Sequence, residues 1–331
     1  MIDPPRVTIV VPAYNHADHV ADCIESLWAQ DYPNLEIVAC DDASPDGTLA
    51  ILHDMADRSP VPMILLENVS NKGVCASLNR CIAAADGDWI GMIASDDMYL
   101  PTFVSRNMAA VVTEATDMVC MQSAAIRLRR DGVRIRHRPP FGKPLDGWVM
   151  EDIALGRGWI NAPSFFASRS LFDAVGPFDE SLTYEDLDFY LRASRIAPFR
   201  FLDTPLIIKR DSAGGLGHVI TQRFEDGFRI LDKNLRAEFP ELWLRATDLR
   251  ERRLARGFGR QGDLTSLRRL IGRDRERRRA YPWSLWIAAM LGAMTGIGVA
   301  IVGRGTIGHV LHRLRRLARP ARSQRRCETS T

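Results

Sequence analysis

The run VTIVVPAYN, Val7 to Asn15, decides how the chain is read. Val7 to Val11 is apolar apart from Thr8 and closes at Pro12, without the alternation of a strand that faces water on one side. That is the pattern of a strand covered on both faces. Helical periodicity follows, with Val20, Ile24, Leu27 and Trp28 on one face and Asp18, Asp22 and Glu25 on the other, toward the helix start. The unit then repeats: strands are expected at 35–40, 63–66 and 89–94, helices at 48–56, 74–85 and 102–114. Strands separated by helices imply right-handed crossovers and an α/β fold with a mainly parallel sheet.

Beyond residue 115 the signals shorten. Apolar and basic residues alternate over 118–138 around Asp131-Gly132, which predicts a β-hairpin with a two-residue Asp-Gly turn. Segments 171–175 and 187–194 read as helices, 199–202 and 206–208 as two short strands, and 221–279 as an increasingly Arg-rich helical region. With 331 residues, 46% of them hydrophobic and 26% charged, the chain can bury a real core, which excludes a mini-protein and wholesale disorder. Cys23, Cys40, Cys75, Cys81, Cys120 and Cys327 form no CxxC pair or metal-finger spacing, so a reducing compartment is expected. Residues 1–6 lead straight into the first strand without the apolar core of a secretory signal, which predicts a cytosolic body.

The formal charge of +3 hides an asymmetry: residues 1–240 carry 23 Lys and Arg against 34 Asp and Glu, residues 241–331 carry 21 against 7. An Arg-rich tail suits anionic lipid headgroups or nucleic acid, and charge alone does not choose. The segment 283–302 holds 20 residues without a charge, enough to cross an apolar layer of roughly 30 Å. Trp283 and Trp286 open it, and Gly292 and Gly296 form a small-xxx-small pair. Membrane lipids are therefore the expected partner of residues 283–326, and nucleic acid is not. Basic residues flank the segment on both sides, so charge leaves open whether it spans the membrane or lies in its cytoplasmic face.

In a doubly wound sheet, ligands bind beyond the carboxyl ends of the strands. There the sequence places Pro12, Ala13, Tyr14 and Asn15; then Asp41 to Gly47; then Glu67 and Asn68; then Ser95, Asp96 and Asp97. Adjacent carboxylates at the end of an apolar strand raise each other's pKa unless a cation joins them, and hard oxygen ligands favour Mg²⁺ or Mn²⁺. Glu185 and Asp186 precede the apolar Leu187, Tyr190 and Leu191, where they suit a helix N-terminus.

These segments resemble the inverting nucleotide-sugar glycosyltransferases of the GT-A fold, glycosyltransferase family 2. The likeness rests on VTIVVPAYN (7–15), EIVACDDASPDGT (36–48), NKG with a later Asn (71–73, Asn79), DWIGMIASDDMYLP (88–101) and GPFDESLTYEDLDFYLR (176–192). The resemblance implies that Pro12, Tyr14 and Asn15 line the nucleotide pocket, with Asp42, Asn71 and Gly73 as further nucleotide-sugar contacts. It implies that Asp41 hydrogen-bonds the base, that Asp96 lies near the ribose, that Asp97 is the Mn²⁺ or Mg²⁺ ligand, and that Asp186, with Glu185, supplies the catalytic base. Many members carry Asp where this chain has Ala94. Lys209 and Arg210 read as phosphate contacts or as a solvated basic turn, Trp159 to Ser164 as acceptor pocket or core. His16, His19 and His53 are assigned to surfaces.

The resulting expectation is a metal-dependent glycosyltransferase. It would use a nucleotide-sugar donor, a UDP-sugar favoured, and a glycan or lipid-linked acceptor in cell-surface polysaccharide synthesis. Its GT-A domain would span 1–240, with a nucleotide-binding half at 1–101 and an acceptor half at 102–240. A basic helical linker at 241–282, a membrane helix at 283–302 and a basic tail at 303–331 would hold this cytoplasmic domain at the cell membrane. The alternative is a noncatalytic GT-A assembly or nucleotide-sugar-binding subunit.

Overall fold

The structure is a computed structural model and describes residues 3–137, 142–183, 186–211, 220–261, 263, 265–266 and 269–270. Glu185, the expected membrane helix 283–302 and the tail 303–331 lie outside the described residues. Among the described residues, no helix is long and apolar enough to cross a membrane. The chain divides into two compact units, Met1–Thr247 and Asp248–Thr331.

The first unit is built on a sheet of β1 (Val7–Ala13), β2 (Leu35–Asp41), β3 (Met63–Glu67), β4 (Trp89–Met92), β5 (Met98–Tyr99), β6 (Cys120–Leu128) and β7 (Arg134–Arg136). The separate short strands β8 (Lys143–Pro144) and β9 (Gly158–Trp159) pair with each other, while β10 (Phe166–Ser168) and β11 (Phe199–Arg210) complete the main sheet. Its order is β3-β2-β1-β4-β10-β6-β11-β5, with β7 on β6. The pairs β3-β2, β2-β1, β1-β4 and β6-β11 are parallel, whereas β10 runs antiparallel to both neighbours. The helices are α1 (Val20–Trp28), α2 (Thr48–Asp57), α3 (Val74–Ala84), α4 (Phe103–Val111), α5 (Met150–Leu155), α6 (Arg169–Val175), α7 (Asp186–Ala193), α8 (Ile220–Leu235) and α9 (Pro240–Gln261).

Strand β1 is covered on both faces, as its composition requires. Val10 joins one core with Val38, Leu78 and Ile90; Ile9 and Val11 join the other with Ile24, Leu52 and Phe103. The amino end of the sheet closes on Glu36, 1% exposed, which accepts from Thr8 Oγ1 (2.6 Å), Asp86 N (2.9 Å) and Arg6 Nη2 (2.8 Å).

Two expectations change in detail, and two short elements are new. The hairpin β6-β7 turns through residues 130–132, with Arg129 N donating to Val133 O and Gly132 at φ +80°, rather than through a two-residue turn. A three-residue loop with a left-handed glycine is the next commonest solution. The two short strands at 199–202 and 206–208 are one strand, β11, with register shifts around Pro205. A proline cannot donate to the ladder, so it sits at an irregularity that reads as a turn in sequence. The strand β10 and helix α5 had no sequence signal, because three and six residues are too few to show a period.

Removing the Glu36 carboxylate leaves buried donors without an acceptor. Glu36→Ala is expected to cost roughly 2–4 kcal/mol in urea denaturation. A loss below about 1 kcal/mol would contradict the role given to this network.

Candidate active site

The carboxyl end of β1 is tied to both neighbouring strands, and these ties assemble the site. Register pairs Ala13 with Asp41 and Val10 with Met92. On the β2 side, Asp42 N donates to Ala13 O (2.9 Å), Asn15 N to Ser44 Oγ (3.0 Å), His16 N to Thr48 Oγ1 (2.9 Å) and Ala17 N to Asp46 Oδ2 (3.0 Å). On the β4 side, His16 Nδ1 lies 2.8 Å from Ser95 Oγ. Pro12, Tyr14 and Asn15 therefore share one edge with Asp41 and Asp96, and Tyr14 is exposed there. Asn15 (φ 58°) and Ala43 (φ 57°) both adopt the left-handed region, which costs a residue with a Cβ of order 1 kcal/mol or more. Strain of this kind persists only where surrounding contacts hold it, and both positions lie at this edge.

Asp41 is 1% exposed; its Oδ2 accepts from Ser44 N at 2.9 Å. Its Oδ1 is buried and has no hydrogen-bond partner among the described residues, an expensive state that a ligand N–H would relieve. Asp42 is different: Asn68 Nδ2 (2.6 Å) and Lys72 N (2.7 Å) donate to Oδ1, and Gly73 N (2.8 Å) donates to Oδ2. Its carboxylate shapes the Asn71–Gly73 loop, where Asn71 is exposed and Gly73 sits at φ +88° ahead of α3. Asn79, on α3, holds Phe178 N (2.8 Å), Phe178 O (3.0 Å) and Glu180 (2.8 Å).

The acidic pair follows β4. Asp97 is 3% exposed, and burial, then the charge of Asp96, push its carboxyl up to about 7. Arg210 staples this loop: its backbone N–H donates to Asp97 Oδ1 (2.9 Å), and its guanidinium donates to Asp96 O (3.1 Å) and to Asp22 of α1 (2.8 Å). Arg210 is thus neither a solvated turn residue nor free to turn wholly toward a phosphate. Asp96 is the more open of the pair, its side chain 13% exposed. Two adjacent hard carboxylates, one buried with its ionised form disfavoured, are a donor set that fits a divalent cation. Among the described residues, no three His, Cys, Asp or Glu side chains are grouped to hold an ion.

Asp186 opens α7, where its Oδ1 accepts from the next backbone N–H, that of Leu187, at 2.7 Å. An aromatic cluster seats this helix: Phe178 stacks on Phe189 at 4.6 Å, and Phe165 meets Phe189, Tyr190 and Phe199. Contacts join its approach loop to the donor edge, for Cys75 Sγ, near the start of α3, donates to Leu182 O at 3.7 Å. Thr183 is pinned by Asp226 of α8 through its N–H (3.0 Å) and hydroxyl (2.5 Å), while Arg229 grips Asp226 and Ser181. Asp179, hydrogen-bonded first by Lys233 and then by Ser181, has its carboxyl held down at about 2. Asn161 and Ser164 are buried against Gln122 and Ser123 and brace β6, so core packing accounts for them.

Reading from sequence placed His16 on the surface; the structure sets it between Ser95 and Asp96, its Nε2 3.9 Å from Asp96 Oδ2. Asp226 and Arg210 were also missed as supports, since their partners lie 43 and 113 residues away and leave no local pattern.

Residues 8–173, half of the chain, match the family described as Glycosyl transferase family 2, and the chain belongs to that family. It is 31% identical over 203 residues to the succinoglycan biosynthesis protein ExoO of Rhizobium meliloti, covering 58% of this chain and 56% of ExoO. Other curated relatives are matched over about a third of their length, 38% and 34% in two cases. Among solved structures, S. aureus TarS in complex with UDP-GlcNAc aligns with a TM-score of 0.58 at 19% identity, covering 86% of this chain and 79% of TarS. The mannosyltransferase PcManGT from Pyrobaculum calidifontis, in complex with GDP-Man and Mn²⁺, aligns with a TM-score of 0.54 at 20% identity, covering 95% and 80%. At such identities the likeness shows the fold, and the fold is GT-A.

Asp226→Ala is expected to release the loop that leads into α7. Amide exchange at Thr183 should accelerate about tenfold or more relative to core amides, with the loss of a buried charged hydrogen bond worth roughly 1–3 kcal/mol. Unchanged protection at Thr183 would remove Asp226 from the account.

Proposed function

We propose that this chain is an inverting, metal-dependent glycosyltransferase that moves a sugar from a nucleotide-sugar donor to a glycan or lipid-linked acceptor in cell-surface polysaccharide synthesis. The observation that carries the reading is the unsatisfied Asp41 Oδ1 on the same sheet edge as the Asp96-Asp97 pair, in which Asp97 is buried with its ionised form disfavoured. One offers an acceptor for a base N–H; the other offers hard anionic oxygens where a diphosphate needs a counter-ion. The UDP-GlcNAc carried by TarS and the GDP-Man and Mn²⁺ carried by PcManGT support a nucleotide-sugar donor and a divalent cation, and a UDP-sugar is our first choice. ExoO, a succinoglycan biosynthesis protein, supports the polysaccharide setting.

In this reading Pro12, Tyr14 and Asn15 wall the base, Asp41 accepts its N–H, Asp42 keeps the Asn71–Gly73 loop in place, and Asp96 faces the ribose. Asp97, with Asp96 beside it, would hold Mn²⁺ or Mg²⁺, whose charge would stabilise the diphosphate as it departs. Asp186, with Glu185, accepts the proton of the acceptor hydroxyl. The acceptor oxygen bonds to the anomeric carbon as the carbon–oxygen bond to the diphosphate breaks, in one displacement with inversion. The catalytic unit is assigned to 1–240. Residues 283–326 are assigned to contact with membrane lipids, which would keep a cytoplasmic catalytic domain beside lipid-linked acceptors.

The test is a screen of UDP-, GDP- and dTDP-sugars with Mn²⁺, following hydrolysis and transfer. Asp186→Asn should leave donor binding near normal and lower transfer by roughly 10²- to 10⁴-fold. Asp97→Asn should abolish turnover in a folded protein, because it removes ligand charge but not volume. Activity unchanged in either variant would unseat that residue. Silence across all donors would favour the noncatalytic nucleotide-sugar-binding alternative, which the Ala94 departure from the family pattern makes specific.

A further inference from the structure

His16 is held at the donor edge through its backbone and through one ring nitrogen. Its backbone N–H is held by Thr48 Oγ1 at 2.9 Å, and its carbonyl accepts from His19 N and Val20 N, both at 2.9 Å. The ring is then set by Nδ1, 2.8 Å from the hydroxyl of Ser95, a residue only 1% exposed. What this leaves at the open side of the ring is Nε2, 3.9 Å from Asp96 Oδ2. That separation is outside hydrogen-bond range, so the carboxylate orients Nε2 electrostatically without consuming it. When Ser95 Oγ–H donates to Nδ1, the neutral ring carries its hydrogen on Nε2 and presents a donor. The side chain is 27% exposed.

The chemistry this donor suits is anionic oxygen. The guanidinium that touches the acidic loop, Arg210, is engaged with Asp22 and with the carbonyl of Asp96. The backbone N–H groups of Asn15, His16 and Ala17 are engaged with Ser44, Thr48 and Asp46. A nucleoside diphosphate lying along Asp96 would find those donors taken; Lys209, whose charge acts on Asp97, is a cation on the β11 side, and Nε2 of His16 is an N–H already held in place on the β1 side. We propose that His16 is a donor-site ligand whose Nε2–H hydrogen-bonds a phosphate oxygen of a nucleoside diphosphate, with Ser95 fixing the ring through Nδ1. The inference rests on the donor-site reading above and adds to it a residue that reads phosphate rather than base.

Isothermal titration with UDP and with uridine, in the presence of Mn²⁺, separates the two. His16→Ala should weaken UDP binding by about tenfold to a hundredfold, the range for a hydrogen bond to a charged group, and leave uridine binding unchanged. His16→Gln, which can place an amide N–H near the position of Nε2, should recover most of the UDP affinity. Ser95→Ala, which frees the ring, should lose an intermediate amount. UDP affinity unaffected by His16→Ala would overturn the inference while leaving the donor-site reading standing. An equal loss of uridine affinity in His16→Ala and His16→Gln would also overturn it, because the residue would then only shape the loop after β1. A wild-type protein that binds none of UDP, GDP or dTDP would overturn the donor-site reading itself, and this inference with it.

Discussion

Burial of β1 on both faces leaves its chemistry nowhere to go but the strand end. Val7 through Val11 are all buried, so the strand can contribute function only through Pro12 to Ala17, where it leaves the sheet. Parallel pairing with β2 and β4 then brings the loops after those strands to the same edge, because parallel strands end together. The site is a consequence of that arrangement. Its cost is visible as positive φ at Asn15 and Ala43, held by Ser44, Thr48 and Asp46.

The same edge concentrates negative charge, and the fold manages it unevenly. Asp42 is satisfied by three donors and serves the backbone. Asp41 keeps one oxygen in reserve. Asp97 is buried beside another carboxylate and accepts from the backbone N–H of Arg210, whose guanidinium supports the loop more than it neutralises it. A structure optimised for stability alone would not leave both an orphaned acceptor and a disfavoured carboxylate at one sheet edge; an edge built to receive a cationic or N–H-bearing ligand would.

Much of this was legible in the sequence, for stated reasons. The run from Val7 to Val11, the helix spacing after it and the repeats at 35–40 and 89–94 are long and periodic, and they specify the parallel half of the sheet. The edge rule then pointed to Asp41, Asp96 and Asp97 before any contact was known. The second half was less legible because its determinants are short or distant: β10 has three residues, Pro205 disguises one strand as two, and Asp226 meets Thr183 across 43 positions. His16 was misassigned for the same reason. A histidine after Asn15 carries no period, and only the 79-residue contact with Ser95 shows which way it faces.

The central claim is that one sheet edge binds a nucleotide sugar through Asp41 on one side and Asp96-Asp97 on the other. A crystal structure of the protein soaked with UDP and Mn²⁺ tests it directly. The account predicts uracil N–H on Asp41 Oδ1, the ribose beside Asp96 and the diphosphate with its cation at Asp97. A nucleotide bound elsewhere, or bound here with Asp41 Oδ1 still unpaired, would contradict it.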